Sequence, residues 1–319
     1  MLFRRSDART NLDIRPLTIS LSTLSRADGS CNFAFGDLKV LGAMTGPAEV
    51  KVWDEKPKHA TVEVNVLPIS SLPGPSSKSS AQSIKSFISP IIYLEQYPRS
   101  LIQINLQTLS KPSERWSSTR KPSRLGFEEN ESISERAALM NASSIALLDG
   151  GVGMSGVGIA VAVAIVKSEL VQQIGEDEDR MKEDEDQEWV ILLDPSPNEE
   201  AQATSLHLIG YQFGSHPTPS NPIIDNVRQS EPTLCFCESY GSFDQTQLKG
   251  VFEVSQTGIA QIYSLIRTSL EHQYLQTLSR PGTLNPSSLP PPPSTASAPN
   301  TQTTDTTKQK KKKKDKTNN

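Results

Sequence analysis

The chain is poor in the features that mark cross-linked, membrane-spanning and repetitive proteins. Its 319 residues include three cysteines, Cys31, Cys235 and Cys237. Three thiols cannot form a disulfide framework, and such sparing use fits a reducing compartment. No apolar run is long enough to span a bilayer. The longest, Val157 to Val166, is about half of the ~20 residues a spanning helix needs. The opening Met1-Leu2-Phe3-Arg4-Arg5-Ser6-Asp7 has charge but no apolar core behind it, so no secretory leader is expected. No fixed period recurs, which excludes collagen, coiled-coil and repeat architectures. Aromatic residues make up only 6% and hydrophobic residues 35%, a lean composition that leaves part of the chain without a core to join.

Charge is unevenly spread. The net charge of −4 combines a basic end with an acidic remainder. From Arg280 onward there are eight Lys or Arg and two Asp, a balance of +6, so residues 1–279 carry −10. Glu176 to Glu188 contributes nine acids and two bases, or −7. The remaining body is mildly acidic, which argues against a nucleic-acid-binding domain built on overall charge.

These shifts in composition suggest a body with inserts and a tail. Residues 1–278 read as one domain, with loop inserts near 70–80, 111–132, 174–188 and 214–232. Residues 279–319 contain Pro290 to Pro293 and then Lys310 to Lys314. That composition favours an extended, solvated tail. The lysine run reads as a nuclear import signal, a weak phosphate-binding arm or a solubilising end.

Between the inserts, strand and helix patterns alternate. Leu17, Ile19 and Leu21 alternate with polar residues, as do Val62, Val64 and Val66, and Ile102, Ile104 and Leu106. Asn32 to Thr45 reads as strand broken at Gly36-Asp37. Ile84, Phe87, Ile88, Ile91 and Leu94 keep helical spacing, with Pro90 predicting a kink. A second helix, rich in small residues, is expected over 134–148 and stops at Asp149-Gly150-Gly151. Val157 to Val166 reads as a buried strand, Trp189 to Asp194 and Ser205 to Phe213 as a strand pair, and Leu234 to Cys237 as a short edge strand. A last helix starts at Asp244, a good N-cap. The fold class is α+β, with helices packed on mixed sheets.

Several short stretches in fixed order carry a resemblance. They are Arg26-Ala27-Asp28-Gly29-Ser30, Phe35-Gly36-Asp37, Thr45-Gly46-Pro47-Ala48-Glu49, Tyr97-Pro98-Arg99-Ser100, Met140-Asn141-Ala142-Ser143, Ala146-Leu147-Leu148-Asp149-Gly150-Gly151 and Leu192-Leu193-Asp194-Pro195. Together, over most of residues 12–275, they resemble RNase PH and its relatives. Within these they resemble the RNase PH-like ring subunits of the eukaryotic RNA exosome, and among those the ribosomal-RNA-processing 46 type. The resemblance implies an RNase PH-like domain of the ribosomal protein S5 domain 2-like kind. It implies a six-membered ring around an RNA channel. The partners would be other RNase PH-like subunits, RNA-binding cap proteins and the RNA itself, with no membrane, in nucleus, nucleolus and cytoplasm.

Enzymes of that family cut RNA by phosphorolysis. Backbone amides of a Gly-Gly-Thr loop at a helix start, followed by an arginine, hold phosphate, and a pair of aspartates six residues apart serves as general acid and metal ligand. By the resemblance, Arg136 falls on that arginine. Ile133, Ser134 and Glu135 stand where the glycine loop would be. A carboxylate from Glu135 at the phosphate position would repel it by about 4 kcal/mol at ~4 Å. Asp194 and Glu200 match the acid pair only as vestiges, since Pro195 and Pro197 alter the spacing geometry; read otherwise, Asp194 is a turn residue before proline and Glu200 a solvated charge. Arg99 matches a channel-facing position, from which a guanidinium pairs well with phosphate; Arg136 is the second candidate for RNA or phosphate contact.

No catalytic residue, metal site or cofactor is therefore expected. Cys235-Phe236-Cys237 near a histidine is too small a ligand set for zinc. The implied function is a non-catalytic structural subunit of the exosome ring, supporting 3′–5′ processing and degradation of RNA. The alternatives are a phosphate-dependent 3′–5′ exoribonuclease within a ring, and an RNA-binding adaptor with a basic tail.

Overall fold

The computed structural model describes residues 5, 9–69, 73–112, 132–167, 189–214 and 232–278. The chain divides into two units, Met1–Tyr274 and Leu275–Asn319, and all contacts described below lie in the first. The inserts expected at 111–132, 174–188 and 214–232 and the tail from 279 fall almost entirely outside the described residues.

Among the described residues nine strands form two sheets. The first has the order β1-β2-β3-β5-β4, built from β1 (Leu17–Leu21), β2 (Gly29–Phe35), β3 (Leu38–Glu49), β4 (Thr61–Leu67) and β5 (Ser100–Ser110). Its pairings are antiparallel except β4 with β5, which is parallel. The second has the order β7-β6-β8-β9, all antiparallel, from β6 (Val157–Lys167), β7 (Trp189–Leu193), β8 (Ser205–Phe213) and β9 (Thr233–Gly241). The expected pair of β7 with β8 is corrected here: β6, buried at nearly every position, lies between them. A continuous apolar strand suits that central place, because it has a sheet neighbour on each edge and packed side chains on each face. β9 is an edge strand as expected, but nine residues long.

Helices α1 (Pro75–Ile88) and α2 (Ile133–Asp149) lie between the sheets. The small residues of α2 let it approach both: Ile133 to Leu147 is buried without a break. A Cβ on Gly29 of β2 would stand 2.3 Å from the Ala146 carbonyl oxygen, so only glycine admits the helix at that distance. On the other side, the Asn141 amide donates to the Ala160 carbonyl at 2.9 Å and accepts from the Ala160 N–H at 2.7 Å. It thereby satisfies the β6 backbone beyond the point where β7 ends. α1 packs Ile84 and Ile88 into the core, while Phe87 reaches Gly210 of β8 and stacks edge-on against Phe236 of β9.

Two boundaries differ from expectation. The stretch 70–80, expected as a loop, gives residues 75–80 to α1, because Pro75 fits the first helical position and Ser77 and Ser80 are small enough to be buried. The same helix stops at Ile88, so Pro90 follows it and no kink forms. A short helix α3 (Pro197–Gln202) was not expected. Ser196 caps it in a reciprocal box with Glu199. The last helix, α4 (Gln245–Leu278), covers the outer face of the second sheet with Val251, Ile259, Ile262 and Ile266, and Tyr263 stacks on Phe213 at 4.4 Å. No described helix is long and apolar enough to cross a membrane.

Candidate functional site

The start of α2 meets the end of β7, all of α3 and the C-terminal part of β9 in one buried corner. Ser132 caps α2, its hydroxyl accepting from the Glu135 N–H. The first amides of a helix have no partner within it and carry its positive pole, so they attract an anion. Here the anion is Glu200. Its carboxylate accepts from the Ser132 hydroxyl at 2.8 Å, the Ser134 N–H at 3.0 Å and the Ile133 N–H at 3.3 Å. α3 places it there. The expectation of a solvated Glu200 is thus overturned: the residue is buried, because α3 turns it inward onto α2. Burial pushes its carboxyl up to about 7, against the opposing pull of those hydrogen bonds.

Glu135 does not take the phosphate position. Its carboxylate turns the other way, accepting from the Thr108 hydroxyl at 2.6 Å and pairing with Lys111 at 2.7 Å, both at the end of β5. The negative charge at the helix start expected from Glu135 is therefore present but belongs to Glu200.

Asp194 directly follows β7 and lies in the left-handed region, at φ 47°. Such a conformation is costly for a non-glycine residue and persists only where neighbours hold it. Three arginines from the N-terminal segment do so. Arg15 clamps the carboxylate with Nε to Oδ2 at 2.7 Å and Nη2 to Oδ1 at 2.5 Å, and its own N–H donates to Oδ2 at 3.0 Å. Arg9 approaches the same carboxylate at 3.5 Å. Arg5 donates to the carbonyls of Leu193 and Asp194 and pairs with Glu199 at 2.9 Å. Asp194 is thus more than the turn residue of the simpler reading: it anchors the N-terminal segment to the strand end. These arginines were missed in the sequence because the segment that carries them shows no strand or helix periodicity.

Arg136 is buried. Its guanidinium donates to the Tyr240 hydroxyl at 2.8 Å and to Glu238 at 3.4 Å, lying over the Tyr240 ring. Burial and Glu238 push the Tyr240 hydroxyl up to about 12. The corner therefore contains five carboxylates, Glu135, Asp194, Glu199, Glu200 and Glu238, and five bases, Arg5, Arg9, Arg15, Lys111 and Arg136. Each of these bases has a carboxylate partner within the chain.

Arg99 lies elsewhere, just before the start of β5, while Thr108 beside the corner is near its end. Nine residues of strand separate them by roughly 30 Å. Arg99 is exposed, in the left-handed region at φ 58°, and pairs loosely with Glu55 at 3.3 Å. Asp194, Glu200 and Arg136 are brought together; Arg99 is not among them.

The implied metal role of the acid pair does not fit these side chains. Both Asp194 oxygens are engaged by Arg15, and both Glu200 oxygens face α2. Among the described residues no group of three or more His, Cys, Asp or Glu side chains could hold a metal ion. Cys235 is half-buried, Cys237 exposed and Cys31 buried. His207 sits between the hydroxyls of Ser205 and Ser239 at 3.0 and 2.9 Å, and burial lowers it to about 4.

Comparison with known proteins places this geometry. Residues 13–153 match the model of the 3′ exoribonuclease family, domain 1. Over this stretch, a little under half of the chain, the sequence is similar to an RNase PH domain. It is 27% identical to the exosome complex component Rrp41 of Archaeoglobus fulgidus, over 85% of this chain and 88% of that protein. It is 23% identical to the exosome complex component RRP46 of Saccharomyces cerevisiae, over 79% of this chain and 93% of that protein. The crystal structure of rice (Oryza sativa) Rrp46 superposes with a TM-score of 0.62 at 20% identity, covering 84% of this chain and all of that one. The fold is that of an RNase PH domain, with two sheets, two helices between them and α4 on the outside, and α2 is the helix at whose start the family resemblance puts phosphate.

Proposed function

We propose that this RNase PH domain is a non-catalytic, structural subunit of an RNA exosome ring, supporting 3′–5′ RNA processing and degradation by helping to build the RNA channel. The observation that carries the reading is the occupied helix start. An enzyme of this family needs the first amides of α2 for inorganic phosphate. In this chain the Glu200 carboxyl accepts from two of them, so phosphate would have to displace it. Asp194, matched to the first of the acids, is clamped by Arg15 and holds no proton-transfer position open. The balanced corner offers no surplus positive charge to draw phosphate and RNA together. The names of the relatives, all exosome components, support the ring context.

In this reading the partners are other RNase PH-like subunits and RNA-binding cap proteins, and RNA passes through the ring. Arg99, exposed at the far end of β5 from the corner, is the residue assigned to RNA; Arg136 holds β9 against α2. The lysines 310–314 support work in the nucleus and nucleolus, with a cytoplasmic pool.

The test is purification of the tagged full-length chain from native extract, with mass determination and identification of what accompanies it. Stoichiometric recovery of other RNase PH-like chains with RNA-binding proteins is expected. A homo-hexamer, a single partner, or RNA association that disappears entirely on deletion of residues 279–319 would contradict the reading.

A further inference from the structure

The first sheet ends in an edge of unusual regularity. β4 pairs with β5 through seven consecutive residues, Thr61 to Leu67, with no register shift, and among the described residues no strand lies on its other side. Natural sheet edges are commonly short, bulged or charged, which discourages the addition of another strand. β1, at the opposite edge, is five residues long, and β9, an edge of the second sheet, pairs through a register shift at Gly210 and Tyr211. On β4 the outward positions are Thr61, Glu63, Asn65 and Leu67, with a single charge among them, and Leu67 is exposed.

A groove runs along this edge. Its volume is about 430 Å³, within the range of binding clefts. One wall is β4 from Thr61 to Val64; the other is the α1 face carrying Lys78, Ala81, Gln82 and Lys85, residues spaced three, four and seven apart and therefore aligned along the helix. The segment after β3 closes one end with Lys51 and Asp54, and between these Val52 and Trp53 stand almost fully exposed. Large apolar side chains left in water beside a groove mark an interaction surface. Three lysines and two acids, Asp54 and Glu63, line the groove, so it is basic by one charge.

We propose that the groove between α1 and β4 is a strand-addition site for an extended peptide of a partner protein, with apolar residues alternating with acidic ones. The open backbone groups of β4 supply main-chain hydrogen bonds and fix the register. The acidic residues of the peptide, which all point to one side, face the groove and meet Lys78 and Lys85 on α1. Its apolar residues point to the opposite face, beside the exposed Leu67. The site is separate from the corner at the start of α2 and does not depend on the proposed ring function.

The test uses calorimetric titration of the full-length chain with an N-acetylated, C-amidated octapeptide alternating valine and glutamate. Two further peptides carry N-methyl groups on one or the other alternate set of amides. One-to-one binding is expected, abolished by methylation of one set and tolerated for the other, because only one set faces β4. Lys78→Glu with Lys85→Glu should weaken binding about tenfold or more while leaving the melting transition in place, since neither lysine belongs to the core. Hydrogen exchange should slow at Thr61 to Leu67 when peptide is bound. Absence of binding, binding indifferent to both methylation patterns and to the charge reversals, or protection at another strand would overturn the proposal.

Discussion

Arg15 and Arg99 illustrate how strongly the environment of a single residue decides its worth. Arg15 meets Asp194 out of water, with both side chains at least nine-tenths buried; Arg99 meets Glu55 at the surface. Removing one member of a buried pair leaves the other charged and unsolvated, at a cost of about 3–5 kcal/mol, whereas an exposed pair contributes about 0–1 kcal/mol. Arg15→Ala should therefore lower unfolding free energy by about 3 kcal/mol or more, and Arg99→Ala by less than about 1 kcal/mol, both read from urea denaturation. Equal effects would mean that the clamp on Asp194 is not holding the N-terminal segment. Glu200 carries a second prediction at this scale. Its carboxyl is raised from its ordinary value of 4.5 to about 7 in the folded chain, so the folded state holds its proton more tightly than the unfolded one. That contribution to stability is complete below about pH 4.5 and is lost as pH rises through 7, by an amount of order 3 kcal/mol. His207, lowered to about 4, acts in the opposite sense, its contribution being lost as pH falls from 6.5 toward 4. The two overlap, so a bare pH profile mixes them. The difference between the parent and Glu200→Gln isolates the carboxylate: the variant should lose less stability between pH 5 and pH 8. A parallel pair of profiles would refute the buried placement of Glu200.

At the scale of elements, close approach is what α2 is built for. Its alanines and serines, and the absence of a side chain at Gly29, bring it onto β2. Gly29→Ala would set a methyl carbon 2.3 Å from a carbonyl oxygen of the helix, so it should destabilise by about 2–3 kcal/mol, in the range of overpacked cores. Gly74→Ala, where a Cβ meets nothing within 4 Å, serves as the control and should change stability by less than about 1 kcal/mol. Thermal melts of the two variants check this; equal shifts would contradict tight packing of α2 on β2. The strands and α2 were legible in the sequence because alternation and small-residue runs are local signals. α3 was not. Pro195, Pro197 and two adjacent acids show no helical periodicity, although Ser196 and Glu199 carry the spacing of a capping box and Pro197 suits a first helical turn. Missing α3 meant missing that Glu200 faces α2. The corner as a whole was half legible: residue identities at Asp194, Glu200 and Arg136 followed from the resemblance, but the arginines of residues 5–15 that neutralise Asp194 come from a segment with no pattern. The order β7-β6-β8 was also hidden, since adjacency in sequence is a weak guide to adjacency in a sheet when a long insert intervenes.

For the whole molecule, the fold and the chemistry at the start of α2 are separate questions. Two sheets enclosing α1 and α2 give the RNase PH fold, and nothing in that arrangement requires catalysis. What the chain does with the helix start decides between enzyme and scaffold. The most direct measurement is phosphate-dependent release of nucleoside diphosphates from single-stranded RNA by the purified assembly, prepared with the natural chain and with Asp194→Asn in its place. The account predicts no phosphate-dependent release that changes with the substitution. Release that requires phosphate and is abolished by Asp194→Asn in an intact assembly would show that this chain catalyses phosphorolysis, and would contradict the reading of Glu200 as the occupant of its phosphate position.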